Sequence, residues 1–156
     1  MTDVAVVDYG MGNLHSVAKA IERVGPRLEV AVTSDAAVVR RAARVVFPGQ
    51  GAMPDCVREM DARGLRGAVL EAARGKPFLG ICIGLQMLFE KSEEGDTHGL
   101  GLLPGRVRRF SPGGGGGGPR GRPQGSHPGW NEGRPEARAP PGGGIWAGPR
   151  CSFVVN

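Results

Sequence analysis

Residues 78–90 read FLGICIGLQMLFE, a short apolar run with one cysteine and a glycine two places to either side of it. Phe78–Ile81 reads as a buried strand, and a helix is expected from about Ile83 to Glu90, which puts Cys82 at a strand-to-helix junction. Working back, Arg44–Phe47 reads as a strand ending in Pro48-Gly49-Gln50-Gly51, with helical segments over Pro54–Asp61 and Leu65–Ala73 leading on to Phe78. Further back, Val4–Val7 is a β-branched run ending at Asp8 and the turn-rich Tyr9–Gly12. Asn13 can cap a helix with Leu14, Val17, Ala18, Ile21 and Val24 on one face, stopped by Gly25-Pro26. Leu28–Thr33 alternates like a strand, and Ser34 is the expected cap of a short helix over Ala36–Ala42. This alternation predicts an α/β fold, a mostly parallel sheet with helices on both faces. Ligands of such sheets sit beyond the carboxyl ends of the strands, where Asp8, Gly49–Gly51 and Cys82 fall.

At 156 residues the length suits one domain with a real core. Residues 1–110 carry 15 basic and 13 acidic side chains, so most of the net +5 comes from five arginines against two glutamates further on. That excess is scattered through glycine-rich sequence without interleaved aromatic residues, which argues against a nucleic-acid binder built on PRGRPQG. Three widely spaced cysteines, Cys56, Cys82 and Cys151, fit neither a disulfide framework nor paired zinc ligands. No stretch has the form of a signal peptide or approaches a membrane span of about 18 apolar residues. The expected setting is a reduced cytoplasm, with no membrane partner.

From Ser111 the text changes. Residues 111–150 contain 14 glycines and 8 prolines, and the run GGGGGG at 113–118 brings no side chains to bury. The expected division is 1–110 as the α/β domain, 111–126 as a flexible linker and 127–156 as a poorly specified remnant. The C-terminal part of the fold is thus expected to be incomplete.

Gly80-Ile81-Cys82-Ile83-Gly84 has the form G-x-C-x-G. On a tight turn the central residue takes a strained backbone, and flanking glycines remove Cβ atoms that would clash. The sulfur then stands clear of the sheet at a helix N-terminus, where the dipole would favour thiolate. The Ile83 amide points at a developing oxyanion, and the Gly49–Gly51 turn offers further backbone donors. Gln86, one helical turn after Cys82, could contact a polar substrate. A buried structural cysteine beside incidental glycines accounts for the pattern equally well when it stands alone. Three features in matching context favour a cysteine acyl-transfer site.

GICIGLQMLFE with the upstream FPGQGAMPDCV resembles the class I (triad) glutamine amidotransferases. DYGMGNLHSVAKAIERVG, GLGLLPGRVRRF and HPGWNE narrow the resemblance to the amidotransferase subunits of imidazole glycerol phosphate synthase, in histidine biosynthesis. The resemblance is close over residues 3–110 and patchy afterwards, and DYGMGN and PGWNE set it apart from anthranilate synthase components. It implies that Cys82 attacks the side-chain amide of glutamine and that the ammonia passes into a cyclase subunit, a (β/α)8 barrel. It implies Gly49, Gln50, Gly51 and Ile83 as oxyanion donors and Gln86 as a glutamine contact. Asn13, Trp130 and Asn131 would face the cyclase. No metal or other cofactor is implied.

Amide hydrolysis by a thiol needs a general base, and the family uses a His-x-Glu pair late in its chain. The histidines here are His15, His98 and His127, and none has a glutamate two places on. The catalytic base and its glutamate are therefore expected to be missing, which leaves a non-catalytic cyclase-binding protein as the alternative. Islands such as HPGWNE and SFV amid Gly/Pro/Arg text suggest a disrupted reading frame over 111–156. Reading the coding DNA in three frames is expected to show a His-x-Glu soon after an F-x-H-S-Y-like strand. An intact frame ending at Asn156 would overturn this.

Overall fold

The protein's structure, a computed structural model, describes residues 2–108. The expected linker and remnant, with His127, Trp130, Asn131 and Cys151, lie outside the described residues. Four strands, β1 (Val4–Val7), β2 (Val30–Thr33), β3 (Arg44–Gly49) and β4 (Phe78–Cys82), form a parallel sheet in the order β2-β1-β3-β4. The helices between them are α1 (Leu14–Val24), α2 (Ala36–Arg41), α3 (Met53–Ala62) and α4 (Arg66–Gly75).

The period-2 geometry of β1 divides the core. Ala5 and Val7 join Val39, Met53, Met60, Leu65 and Val69 in the larger cluster, on the α2, α3 and α4 side. Val4 and Val6 face the other way, packed with Val46, Leu14, Val17 and Ile21 on the α1 side. Helices thus cover both faces, as the alternating sequence predicts. Burying a Val or Leu side chain contributes about 1.5–3 kcal/mol each, so these clusters supply most of the drive to fold. Cover is thinner on the α1 side: Leu79 on β4 is 55% exposed and Val32 on β2 is 45% exposed.

Local chemistry sets the helix starts. Asn13 caps α1 as expected, its Oδ1 accepting from the Ser16 N–H at 3.3 Å. The cap of α2 is Asp35 rather than Ser34: its Oδ1 accepts from Ala37 N–H at 2.7 Å, and a carboxylate suits the helix N-terminus better than a hydroxyl. At α3, Ala52 offers no capping side chain, and a remote one substitutes, Glu94 Oε2 accepting from Met53 N–H at 3.2 Å.

The helix expected over Ile83–Glu90 is cut to one turn, α5 (Ile83–Gln86). After that turn the backbone bonds to a later stretch of the chain. Met87 O accepts from Leu100 N–H at 2.7 Å, and Leu88 O from Leu102 N–H at 2.8 Å and Leu103 N–H at 2.9 Å. The chain instead enters a small second sheet, β6-β5-β7, with β5 at Phe89–Ser92, β6 at Thr97–His98 and β7 at Leu103–Val107. Sequence periodicity cannot see the pairing of β5 with β7 because it joins Phe89 to Leu103 and Lys91 to Arg106, residues far apart in the chain.

The junction of β3 and α5 is made backbone to backbone. A Cβ on Gly84 would collide with the Phe47 carbonyl oxygen. Gly84→Ala is therefore expected to lower unfolding free energy by about 3 kcal/mol or more, since rigid backbone must move. Gly75→Ala, where nothing lies within 4 Å, is expected to be neutral or to stabilise by about 0.5–1 kcal/mol. Urea unfolding of both variants checks the contrast; equal effects would refute it.

Candidate active site

Cys82 is the last residue of β4 and the residue before α5, with φ +54° and ψ −120°. For a side chain with a Cβ this region costs on the order of 1–3 kcal/mol, and it persists where the surroundings fix it. The surroundings are glycines. A Cβ on Gly80 would stand 2.8 Å from Leu85 Cα and 2.9 Å from Leu85 N, while Gly84 is wedged on β3. The thiol is free and half-buried against the larger core cluster. The sharp turn expected at G-x-C-x-G is present. With one turn of helix behind it, few peptide dipoles align on the sulfur, so the macrodipole expected there is much reduced.

The parallel register pairs Gly49 with Cys82, so the start of the glycine turn and the backbone of Cys82 lie side by side on neighbouring strands, which run about 4.8 Å apart. The order in which the chain adds strands reverses between β1 and β3, and the carboxyl end of β3 carries Gly49. Gly49 is buried: a Cβ there would lie 2.5 Å from Tyr9 Oη, 2.7 Å from Gly84 N and 2.9 Å from Ile83 Cβ. Gln50 and Gly51 are exposed, and Gly51 adopts φ +98°, open to glycine and strained for other residues. Ile83 is buried, and Gln86 is half-buried at the end of α5.

Two residues next to this turn carry no signal in the sequence beyond their position. Tyr9, at the end of β1, is fully buried, its ring tilted on Phe47 at 5.3 Å between centroids. Its hydroxyl donates to the Pro48 carbonyl at 2.8 Å and also approaches Met87 Sδ at 3.9 Å. Cys56 on α3 is likewise buried, and its thiol donates to the Gln50 carbonyl at 3.4 Å. Burial, with the neighbouring Cys56 and Cys82, pushes the Tyr9 phenol far above its ordinary range. Burial also raises the Cys56 thiol, against the hydrogen bonds from Tyr9 and Gln50 that lower it, so both groups stay protonated donors.

Other candidates lie elsewhere. Asn13 is exposed, with its side-chain oxygen engaged in capping. His15 is exposed on α1, and His98 is exposed on β6, paired with Lys91 of β5 in the second sheet. Among the described residues no group of three or more His, Cys, Asp or Glu could hold a metal ion.

Fold and junction together define an α/β protein of the nucleophile-elbow type, with a cysteine at the elbow. The family profile described as Glutamine amidotransferase class-I matches residues 5–122, and this chain belongs to that family. Among its relatives are proteins named imidazole glycerol phosphate synthase subunit HisH. That of Aromatoleum aromaticum is 74% identical over 110 residues, 70% of this chain and 52% of the relative. That of Nitrosospira multiformis is 69% identical over 110 residues, again 70% of this chain and 52% of the relative. The chain thus spans about half the length of these two relatives. The Chromobacterium violaceum protein is 51% identical over 152 residues, 97% of this chain and 71% of the relative.

The strained Cys82 backbone gives one prediction. Cys82→Gly is expected to raise unfolding free energy by about 1 kcal/mol, because glycine adopts φ +54° without strain, whereas Cys82→Ala keeps the strain. Denaturant midpoints compare the two, and equal midpoints would count against strain at the elbow. Tyr9 and Cys56 give another. Each has a folded pKa above its unfolded value, so the unfolded chain releases those protons first as pH rises. Stability is then intact below about pH 8.5 and falls above about pH 8.5 for the thiol and about pH 10 for the phenol. The slope approaches about 1.4 kcal/mol per pH unit for each group. Tyr9→Phe should flatten the part above about pH 10, as read from urea midpoints between pH 7 and 11; an unchanged slope would refute it.

Proposed function

We propose that the chain carries the glutamine-attacking side of a glutamine amidotransferase that supplies ammonia to the cyclase subunit of imidazole glycerol phosphate synthase, in the cytoplasm. The observation that carries this is the register of Gly49 on Cys82 at a cysteine elbow. The names of the relatives support the particular reaction. Among the described residues no helix is long and apolar enough to cross a membrane.

In this reading the Cys82 sulfur attacks the side-chain amide carbon of glutamine. A carbon–sulfur bond forms and the carbonyl electron pair moves to oxygen. Backbone amides of Ile83 and the Gly49–Gly51 turn stabilise that oxygen. Collapse of the tetrahedral species breaks the carbon–nitrogen bond, and the nitrogen leaves as ammonia once it takes a proton. Water then cleaves the thioester to glutamate and regenerates the thiol. Gln86 contacts the glutamine, Asn13 contacts the cyclase, and the resemblance assigns Trp130 and Asn131 to the same partner.

Proton transfer is the weak step. No histidine of this chain is followed two places on by glutamate, and the leaving nitrogen has no assigned proton donor. That observation favours a second reading, in which the chain docks on the cyclase without turning over glutamine. Glutaminase turnover is expected to lie at least about 10³-fold below that of a triad-complete relative, with or without the cyclase. The chloroketone analogue of glutamine should label Cys82 ahead of Cys56, read by peptide mapping. Preference for Cys56, or no labelling, would refute the site. Co-elution with the cyclase subunit but no labelling would favour the docking reading.

A further inference from the structure

The turn from Pro48 to Gly51 has to hold backbone donors still, yet it reads Pro-Gly-Gln-Gly, a composition with few side chains of its own to anchor it. Pro48 and Gly49 end β3 in register with Ile81 and Cys82, but Gln50 and Gly51 lie beyond the ladder, and donors that must reorganise during the reaction stabilise an oxyanion poorly. The anchors come from elsewhere. Tyr9 Oη donates to the Pro48 carbonyl at 2.8 Å, and Cys56 Sγ donates to the Gln50 carbonyl at 3.4 Å. These are alternate peptide units of the turn, held from the buried side by residues of two different elements, the end of β1 and α3.

Resting on the proposed reaction, we infer that Tyr9 and Cys56 are positioning residues that pre-organise the oxyanion donors of the Gly49–Gly51 turn. No described peptide bond is cis, so within each unit the N–H points opposite to the C=O. Holding the Pro48 and Gln50 carbonyls toward Tyr9 and Cys56 turns the Gly49 and Gly51 amides the other way. The Gln50 amide between them is then confined at both ends. Tyr9 has a third contact that ties the arrangement to the nucleophile's own segment, Met87 Sδ at 3.9 Å, just after α5. It also bears on the place where a Gly49 Cβ would sit, so a hydroxyl, the glycine and α5 meet at one point. Both donors keep their protons over the working pH range because burial opposes ionisation.

The test compares two reagents on the full chain. Attack on the chloroketone analogue of glutamine places negative charge on a carbonyl oxygen, so it draws on the turn. Iodoacetamide reacts by direct displacement at carbon and does not. The rate ratio at Cys82, chloroketone over iodoacetamide, cancels changes in thiol exposure or ionisation. Tyr9→Phe keeps the ring on Phe47 and removes one anchor, and Cys56→Ala removes the other. Each is expected to lower the ratio about tenfold, with the iodoacetamide rate held within about twofold. Cys56→Ser restores a donor and should return the ratio to within about threefold of the parent. Should Tyr9→Phe fail to fold by circular dichroism, the Cys56 pair carries the test alone. An unchanged ratio in the folded variants, or no rescue by serine, overturns the positioning role. If the unsubstituted chain shows no chloroketone preference at Cys82, the proposed reaction itself fails, and the inference with it.

Discussion

Three glycines let three pieces of backbone touch, and the rest of the site depends on that contact. Gly84 sits on the Phe47 carbonyl, Gly80 lies under Leu85, and Gly49 fits between Tyr9, Ile83 and Gly84. Each position would place a Cβ against rigid backbone or a buried ring. Without those atoms, α5 drops directly onto β3, and Cys82 is forced into a positive-φ turn between β4 and α5. The strain at Cys82 follows from this packing, and Cys82 stands in register with Gly49 at the head of the glycine turn.

Around that contact the molecule is built asymmetrically. The α2–α4 side of the sheet has the larger apolar cluster, and Tyr9, Cys56, Phe47 and Met87 belong to it. These buried residues reach the carboxyl end of the sheet and meet the turn there. The packing that drives folding therefore also fixes the backbone of the site. Polar groups drawn into this layer are each matched to a carbonyl, as an interior of low polarity requires. The α1 side has a smaller cluster and leaves Leu79 largely in solvent.

Under the proposed reaction the described residues supply the attacking thiol and the backbone donors for the oxygen. Gly49 stands in register with Cys82, and the turn after it is held by Tyr9 and Cys56, which burial keeps protonated near neutrality. That reading assigns no residue to proton handling: His15 and His98 are exposed on α1 and in the second sheet. Membership of the class-I glutamine amidotransferase family agrees with the elbow and the glycine turn.

The sequence by itself determined the order of strands and helices through Gly80, the Asn13 cap, the elbow at Cys82 and the Gly49–Gly51 turn. These rest on local physics: branched runs, capping side chains and glycines act within a few residues of where they stand. The length of α5 and the second sheet were decided only in tertiary structure, where Leu100, Leu102 and Leu103 donate to the Met87 and Leu88 carbonyls as the chain turns into strand pairing. Asp35 displaced Ser34 as a cap because two adjacent polar residues compete and only their final backbone angles choose between them. Tyr9 and Cys56 looked like ordinary turn and helix residues. Their meeting with Pro48 and Gln50 spans contacts 39 and 6 residues apart in the chain. The Tyr9 contact exists only once β1 and β3 have packed side by side, since a partner that distant is chosen by the fold, while the Cys56 contact depends on how α3 folds back beside the turn just before it.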